Sequence, residues 1–342
     1  MSVVTCQLLD MIIVGDPQNK SLSESIAQKL KIELIYPEIT VFPDSEQRVR
    51  IPGDVSGQRV YLLKSIVPPV DSAVMQLTFL VDALNKNGAD KVIGIIPYIP
   101  YMRADHMFRT GEAVPLEVVI SMIQDSKLNE IIMIDPHSIK IPQMFKIPVH
   151  DLSALPMFAQ KIKEIVGTRG PVAPHPHPTS SHSLRALVGG PPLRATPRHD
   201  FTIVSPDMGG IRRLKLLDKL LGGVNQVVIN KDRNYESGEV RVAEYEGAIR
   251  GKCFIVDDII STGKTVVQAI DTLAQGGASG VYVFATHPVL SENASELLSN
   301  SKARKIYVTD SIPIHPEKKF DKLEVLSIAD LASDQIKMTV GS

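Results

Sequence analysis

The stretch FIVDDIISTGKT, Phe254 to Thr265, sets two neighbouring carboxylates beside a small-residue turn that ends in Gly-Lys-Thr. Those last letters match the end of the loop that cradles nucleotide phosphates, G-x-x-x-x-G-K-[ST]. Where that loop needs its first glycine, however, this chain has Asp258. A carboxylate there would repel the phosphates. The residues fit a different chemistry. A strand ends in Asp257 and Asp258, and the amides of Ser261, Thr262, Gly263, Lys264 and Thr265 lead into the helical stretch TVVQAIDTLAQ. Helix N-termini and small-residue turns hold phosphate through unpaired N–H groups. Carboxylates beside them suit sugar hydroxyls or Mg²⁺. A ligand with a diol at one end and a phosphate at the other, such as ribose 5-phosphate, satisfies both halves.

Other strand ends carry polar residues of similar kinds. Lys231 and Arg233 follow QVVIN and open the loop-like DRNYESGEV; the plainer reading is a solvated strand-end pair. His137 follows IIMID, and Asp207 ends FTIVSP ahead of Met208-Gly-Gly. Arg103, Asp105 and His106 lie on the loop after KVIGIIPYIPY. Taken singly, His137 reads as a packed or capping residue and FPDSE (42–46) as a turn before QRVRI. His137 and Asp207, however, lie at the C-terminal ends of strands, where α/β proteins form their sites.

Those residues need elements to position them. Short β-branched runs alternate with stretches of helical period, which predicts an α/β protein with a largely parallel sheet. MIIVG precedes SLSESIAQKL, in which Ser21 and Glu24 have capping-box spacing. RVYLL, KVIGIIP and IIMID follow as strands, with one helix through DSAVMQLTFLVDALNKNG and another opened by Pro115. DFTIVSPD, IRRLKLLDKLLGG, QVVINKD, KCFIVDD and GVYVFATHPVL repeat the rhythm. Two similar domains, 1–150 and 151–342, are therefore expected. Thr168 to His199 breaks the pattern, with no Asp, Glu or Lys and many Pro, His and Arg. Its His175, His177 and His182 lack acidic or cysteine partners, so it reads as a disordered insertion and not as a metal site.

Composition narrows the function classes. The 342 residues are 44% hydrophobic and 22% charged, with a formal net charge of -1. That balance gives no electrostatic reason to expect nucleic acid or an anionic membrane surface as partner. The two cysteines, Cys6 and Cys253, sit in apolar runs, which argues against a disulfide framework and for the cytoplasm. No apolar run approaches the roughly 20 residues of a membrane span. The N-terminus reads as a first strand and not as a signal peptide.

With these motifs in place, Cys253 to Thr265 resembles the phosphoribosyl pyrophosphate (PRPP) signature shared by phosphoribosyltransferases and PRPP synthetases. FPDSE (42–46), YMRADH (101–106), DPHSIKIPQMF (135–145), SPDMGGIRR (205–213) and NKDRN (230–234) occur in the order seen in class I ribose-phosphate diphosphokinases. The resemblance spans nearly the whole chain apart from 168–199. It implies an α/β fold of two similar phosphoribosyltransferase-type domains, each a mainly parallel sheet flanked by helices. It also implies transfer of the diphosphoryl group of MgATP to the C1 hydroxyl of ribose 5-phosphate, giving PRPP and AMP. On the same resemblance, Lys231 and Arg233 are the catalytic cations that close over the transition state, and His137 and Asp207 hold Mg²⁺. Asp257, Asp258, Ser261, Thr262, Gly263, Lys264 and Thr265 bind ribose 5-phosphate, while Arg103, Asp105 and His106 bind ATP. Phe42, Asp44 and Glu46 meet the adenine from a neighbouring subunit, so a homo-oligomer is implied. The chain departs from the family pattern at four positions: Ala104 replaces Gln, Ser45 a common Gly, His106 a usual Arg or Lys, and Lys264 a usual Gly. Two other readings stay open. One is a non-catalytic relative that associates with active synthetases, which Ala104, Ser45 and the insertion favour. The other is a phosphoribosyltransferase, which leaves the N-terminal half unexplained.

Overall fold

The computed structural model describes residues 10–107, 109–167, 200–229 and 245–340. Lys231, Arg233 and the insertion 168–199, with His175, His177 and His182, lie outside the described residues.

In the first half, the strands are β1 (Met11–Val14), β2 (Glu33–Ile35), β3 (Glu38–Val41), β4 (Gln47–Arg50), β5 (Arg59–Leu63), β6 (Lys91–Ile95), β7 (Glu130–Ile134) and β8 (Val149–Leu152). Six of the described strands form a parallel sheet in the order β2-β1-β5-β6-β7-β8, and β3 and β4 pair antiparallel as a separate hairpin. The helices are α1 (Lys20–Leu30), α2 (Val70–Lys86), α3 (Pro115–Asp125), the single turn α4 (Ile141–Met144) and α5 (Leu155–Val166). The second half has β9 (Phe201–Ser205), β10 (Asn225–Ile229), β11 (Tyr245–Glu246), β12 (Lys252–Ile260), β13 (Gly280–Pro288), β14 (Ala303–Thr309) and β15 (Leu323–Leu326). Its helices are α6 (Ile211–Leu221), α7 (Lys264–Gln275), α8 (Ala294–Asn300) and α9 (Ala329–Val340). Its described strands run β11-β10-β9-β12-β13-β14-β15, all parallel except for β11 against β10.

Set β11 aside and the two sheets share one strand order. Met11 lies opposite Arg59 in the first, and Phe201 opposite Lys252 in the second. The rhythm expected from the sequence is thus a structural duplication. Near-continuous apolar strands such as MIIV and KVIGI follow, because helices cover both faces of a parallel sheet.

The helices form for ordinary reasons. On α2, buried Ala73, Val74, Leu77, Leu80, Val81 and Leu84 recur every three or four residues. Pro115 opens α3 as expected. The capping box at Ser21 and Glu24 does not form: α1 begins at Lys20 with Asn19 at its N-cap position and no side-chain cap. The Asn19 amide is engaged elsewhere, donating to Ser65 Oγ (3.1 Å) and to the Asp310 carbonyl (2.9 Å).

One apolar core joins the halves. It takes Ile13, Tyr61 and Ile132 from the first sheet, Phe254, Phe284 and Tyr307 from the second, and the inner faces of α1, α5, α6 and α9. Here α5 packs on α6 and α9 on α1, so the last helix of each half packs on the first helix of the other. That reciprocal exchange brings the C-terminal ends of the two sheets into contact. Among the described residues no helix is long and apolar enough to cross a membrane.

Candidate active site

β12 runs through both acids to Ile260, two residues further than the sequence pattern indicated. Strand alternation places Asp258 on the face of Phe254 and Val256, toward the first half, and Asp257 on the opposite face. The turn after the strand reverses at Gly263, whose φ of 75° is the left-handed conformation that side chains disfavour. The Val267 amide donates the first bond of α7, to the Gly263 carbonyl (2.9 Å). The amides of Lys264, Thr265 and Val266 precede it and have no carbonyl of their own helix to bond. The turn is braced by the Ser291 amide, which donates to the Ser261 carbonyl (3.1 Å), and by a 3.0 Å contact between the two hydroxyls.

Asp258 is buried and holds two partners. Its Oδ2 accepts from His137 Nδ1 at 2.6 Å, and its Oδ1 lies 3.2 Å from Arg213 Nη2. Arg213 Nη1 is 3.5 Å from Asp257 Oδ1, which also accepts the Asp258 amide at 2.9 Å. Burial alone would push the Asp258 carboxyl up, but Arg213 and His137 together hold it well below the usual carboxylate range. Burial and repulsion from Asp258 push Asp257 the other way. The bond to Asp258 raises the pKa of His137 against the effect of burial.

His137 belongs to the first half and Asp258 to the second, so their meeting depends on how the halves are joined. Asp135, at the end of β7, accepts from Ser153 Oγ (2.8 Å), from the Ala154 amide (3.0 Å) and, across the interface, from Thr286 Oγ1 (2.7 Å). Next to it, buried His287 donates from Nε2 to the Ile134 carbonyl (2.9 Å). Burial lowers the pKa of His287, which suits a neutral ring spanning an apolar seam. Asp207 opens the 208–210 turn, where its carboxylate accepts the Gly210 amide (3.2 Å). A Cβ at Gly210 would sit 2.2 Å from Ser205 Oγ and would displace that hydroxyl from its bond to the Asp207 carbonyl (2.7 Å).

Two adjoining clefts result. A smaller one, about 330 Å³, is lined by Arg103, His137, Asp207, Asp257, Asp258, Ser261, Thr262, Gly263 and Thr265. A larger one, about 680 Å³, is lined by Arg103, Asp105, His106, Asp135, His137, Asp151, Arg212 and Arg213 among others. Residues expected from the sequence to act together, drawn from both halves, therefore share one wall. Others stand apart. Lys264 is exposed, 3.8 Å from Glu292, and borders neither cleft. Phe42, Asp44 and Glu46 sit on the exposed tip of the β3–β4 hairpin and also border neither. Ser45 there has φ 72°, a conformation glycine adopts without strain.

Sequence reasoning missed Arg213, Asp151 and the Asp135–Thr286–His287 latch. SPDMGGIRR displayed Arg213, but nothing local says that it meets acids 44 and 45 positions on. Burial and the neighbouring Asp135 push the Asp151 carboxyl up to about 7, against the pull of Arg212. Among the described residues no three His, Cys, Asp or Glu are grouped so as to hold a metal by themselves. Mg²⁺ needs less, because it binds through one or two protein ligands together with phosphate oxygens and water.

Comparison with known proteins gives a consistent picture. A family model described as the N-terminal domain of ribose phosphate pyrophosphokinase matches residues 11–126. A second, described as the phosphoribosyl synthetase-associated domain, matches residues 240–340. The ribose-phosphate pyrophosphokinase of Aquifex aeolicus is 33% identical, over 95% of this chain and 94% of its own length. Ribose-phosphate pyrophosphokinase 1 of Streptococcus pneumoniae is 31% identical, over 96% and 93%. The crystal structure of phosphoribosylpyrophosphate synthetase from Mycobacterium smegmatis superposes with a TM-score of 0.81 at 27% identity, covering 97% of this chain and 99% of that one.

Proposed function

Because the chain belongs to the ribose-phosphate pyrophosphokinase family, we propose that it moves the diphosphoryl group of MgATP onto the C1 hydroxyl of ribose 5-phosphate, releasing PRPP and AMP. The observation that carries this reading is the wall shared by the two clefts: Arg103 and His137 line both. A sugar phosphate in the smaller cleft and a triphosphate in the larger one would meet there. Positioning of this kind, with charge neutralisation, is most of what phosphoryl-type transfer asks of a protein.

The 5-phosphate takes the amides from Ser261 to Thr265, and the ribose hydroxyls turn to Asp257 and Asp258. ATP lies against Arg103, Asp105 and His106. The C1 hydroxyl oxygen attacks the β-phosphorus, its proton passing to water, as the bond from that phosphorus to the α,β-bridging oxygen breaks. AMP leaves with the bridging oxygen. Lys231 and Arg233 supply positive charge to the migrating group.

The residues present fit Mg²⁺. His137 donates its Nδ1 proton to Asp258, which leaves Nε2 as the nitrogen able to take a metal, the pairing typical of metal-binding histidines. His137 and Asp207 would hold the ion with phosphate oxygens and water completing the shell. Bound there, it neutralises charge on the transferring phosphates.

The placement of Phe42, Asp44 and Glu46 on an exposed hairpin, away from both clefts of their own chain, supports an adenine site completed by a neighbouring copy in a homo-oligomer. The two halves, each one sheet with its helices, act as two phosphoribosyltransferase-like domains, the first running through β8 and α5 and not stopping at residue 150 as expected from the sequence. A cytoplasmic location, with neither nucleic acid nor membrane as partner, belongs to the same reading.

A direct test incubates the protein with MgATP and ribose 5-phosphate and quantifies AMP and PRPP. Equal amounts of both are expected. Folded protein that yields neither would overturn the proposal in favour of a non-catalytic associate of active synthetases.

A further inference from the structure

We propose that Arg213 is the positioning residue of the sugar half-site, holding Asp257 and Asp258 in the arrangement in which both can meet the pentose. The proposal rests on the sugar-phosphate reading above. Consecutive strand residues point to opposite faces of a sheet. Asp257 and Asp258 would therefore splay apart, and a side chain rising from either face could reach one of them only. Arg213 arrives over the end of β12 from the first turn of α6. One guanidinium nitrogen faces each acid, at 3.5 and 3.2 Å. A planar fork suits this bridge; a single ammonium does not. Arg213 borders the larger cleft and not the smaller one, so it acts on the pentose through the two acids.

The first half shows that the fold does not need this arrangement. By the strand register, Lys64 and Ser65 hold the places of Asp257 and Asp258. There the charges are inverted: buried Lys64 lies 3.5 Å from Asp16, whose Oδ2 accepts the Ser65 amide at 2.8 Å. That strand end forms without an acid pair, and its Lys64 Nζ is buried with an ion pair but no hydrogen bond. A buried carboxylate next to a half-buried one, with a cation between them, is costly to assemble. Of the two equivalent strand ends, the pair occurs at the one that carries the phosphate turn, so the bridge serves the ligand and not the sheet.

The test compares Arg213→Lys, which keeps the charge and loses the fork, with Arg213→Gln, which loses both. Each is measured by initial-rate kinetics and by calorimetric titration of ribose 5-phosphate in the presence of Mg²⁺ and α,β-methylene-ATP. For Arg213→Lys the KM for ribose 5-phosphate should rise about tenfold, with the KM for MgATP changing less than about twofold. Arg213→Gln should be worse than Arg213→Lys in the same direction, and the calorimetric Kd should follow the KM. If Arg213→Gln fails to fold, Arg213→Lys decides. Unchanged affinity for ribose 5-phosphate in Arg213→Lys, or a loss confined to MgATP, would overturn the proposal while leaving the proposed reaction intact. If the unaltered protein makes no AMP, the reaction reading fails and calorimetry alone decides. Weaker ribose 5-phosphate binding in Arg213→Lys then supports the positioning role. Equal binding, or none by the unaltered protein, overturns it.

Discussion

Replacing Asp151 by asparagine should make the protein more stable above neutral pH and change little near pH 4. Asp151 is 8% exposed, and burial with Asp135 nearby pushes its carboxyl from 3.8 up to about 7. The folded state therefore binds the Asp151 proton more tightly than the unfolded chain does. That contribution is fully present below the unfolded value and is lost as pH rises toward 7. A shift of about three units at 1.36 kcal/mol each sets a ceiling of about 4 kcal/mol. Asparagine has nearly the same shape and no charge at any pH, so the lost stability returns. Relaxation of the site reduces the effect, and about 2 kcal/mol at pH 8 is the expected order. Urea unfolding of both proteins at pH 4.5, 6, 7 and 8 measures it. The two stabilities should diverge through this range and run parallel above it. Curves that stay parallel throughout would mean that Asp151 titrates alike in the folded and unfolded states, against the expectation.

Three further outcomes follow from the geometry. Gly263→Ala forces a side chain into φ 75° beside Leu298 Cγ, 3.4 Å from the added carbon. Strain of about 1–2 kcal/mol should tilt the phosphate turn and raise the KM for ribose 5-phosphate about tenfold, while the KM for MgATP holds; steady-state kinetics with each substrate varied separates the two. Thr286→Val removes the donor that crosses the interface to Asp135 (2.7 Å). It should cost about 1–3 kcal/mol in urea unfolding, as loss of a partner to a largely buried acceptor does, and unchanged stability would show that the latch is not needed. Burial pushes the Cys253 thiol up to about 11, so peptide mass mapping after iodoacetamide at pH 8 should find it unmodified in the folded protein and alkylated in urea.

Much of the local structure was legible because its causes are local. Apolar runs located the strands, Pro115 opened its helix, and the acid pair ended a strand that a small-residue turn joins to a helix, as the sequence pattern indicated. The capping box failed for a reason outside its own segment: Asn19 occupies the N-cap position and spends its amide on Ser65 and Asp310, one of them 291 positions away. Arg213 was invisible for the same reason. Its partners come from a different strand, and alternation along that strand would have argued against one side chain touching both acids. The reciprocal packing of α5 on α6 and of α9 on α1 was equally hidden, since amphipathic faces do not say which half they cover. Lys264, the residue that first suggested a nucleotide loop, turns out to be an exposed side chain facing Glu292.

The wall of residues shared by the two clefts is expected to pass a diphosphoryl group and not a single phosphoryl group. ATP labelled at the β-phosphorus, incubated with Mg²⁺ and ribose 5-phosphate, tests it directly. The label should appear in PRPP in amounts equal to the unlabelled AMP released, and Lys231→Ala should abolish transfer without loss of folding. Label recovered in ADP, or left wholly in ATP with the protein folded, would show that the protein transfers no diphosphoryl group.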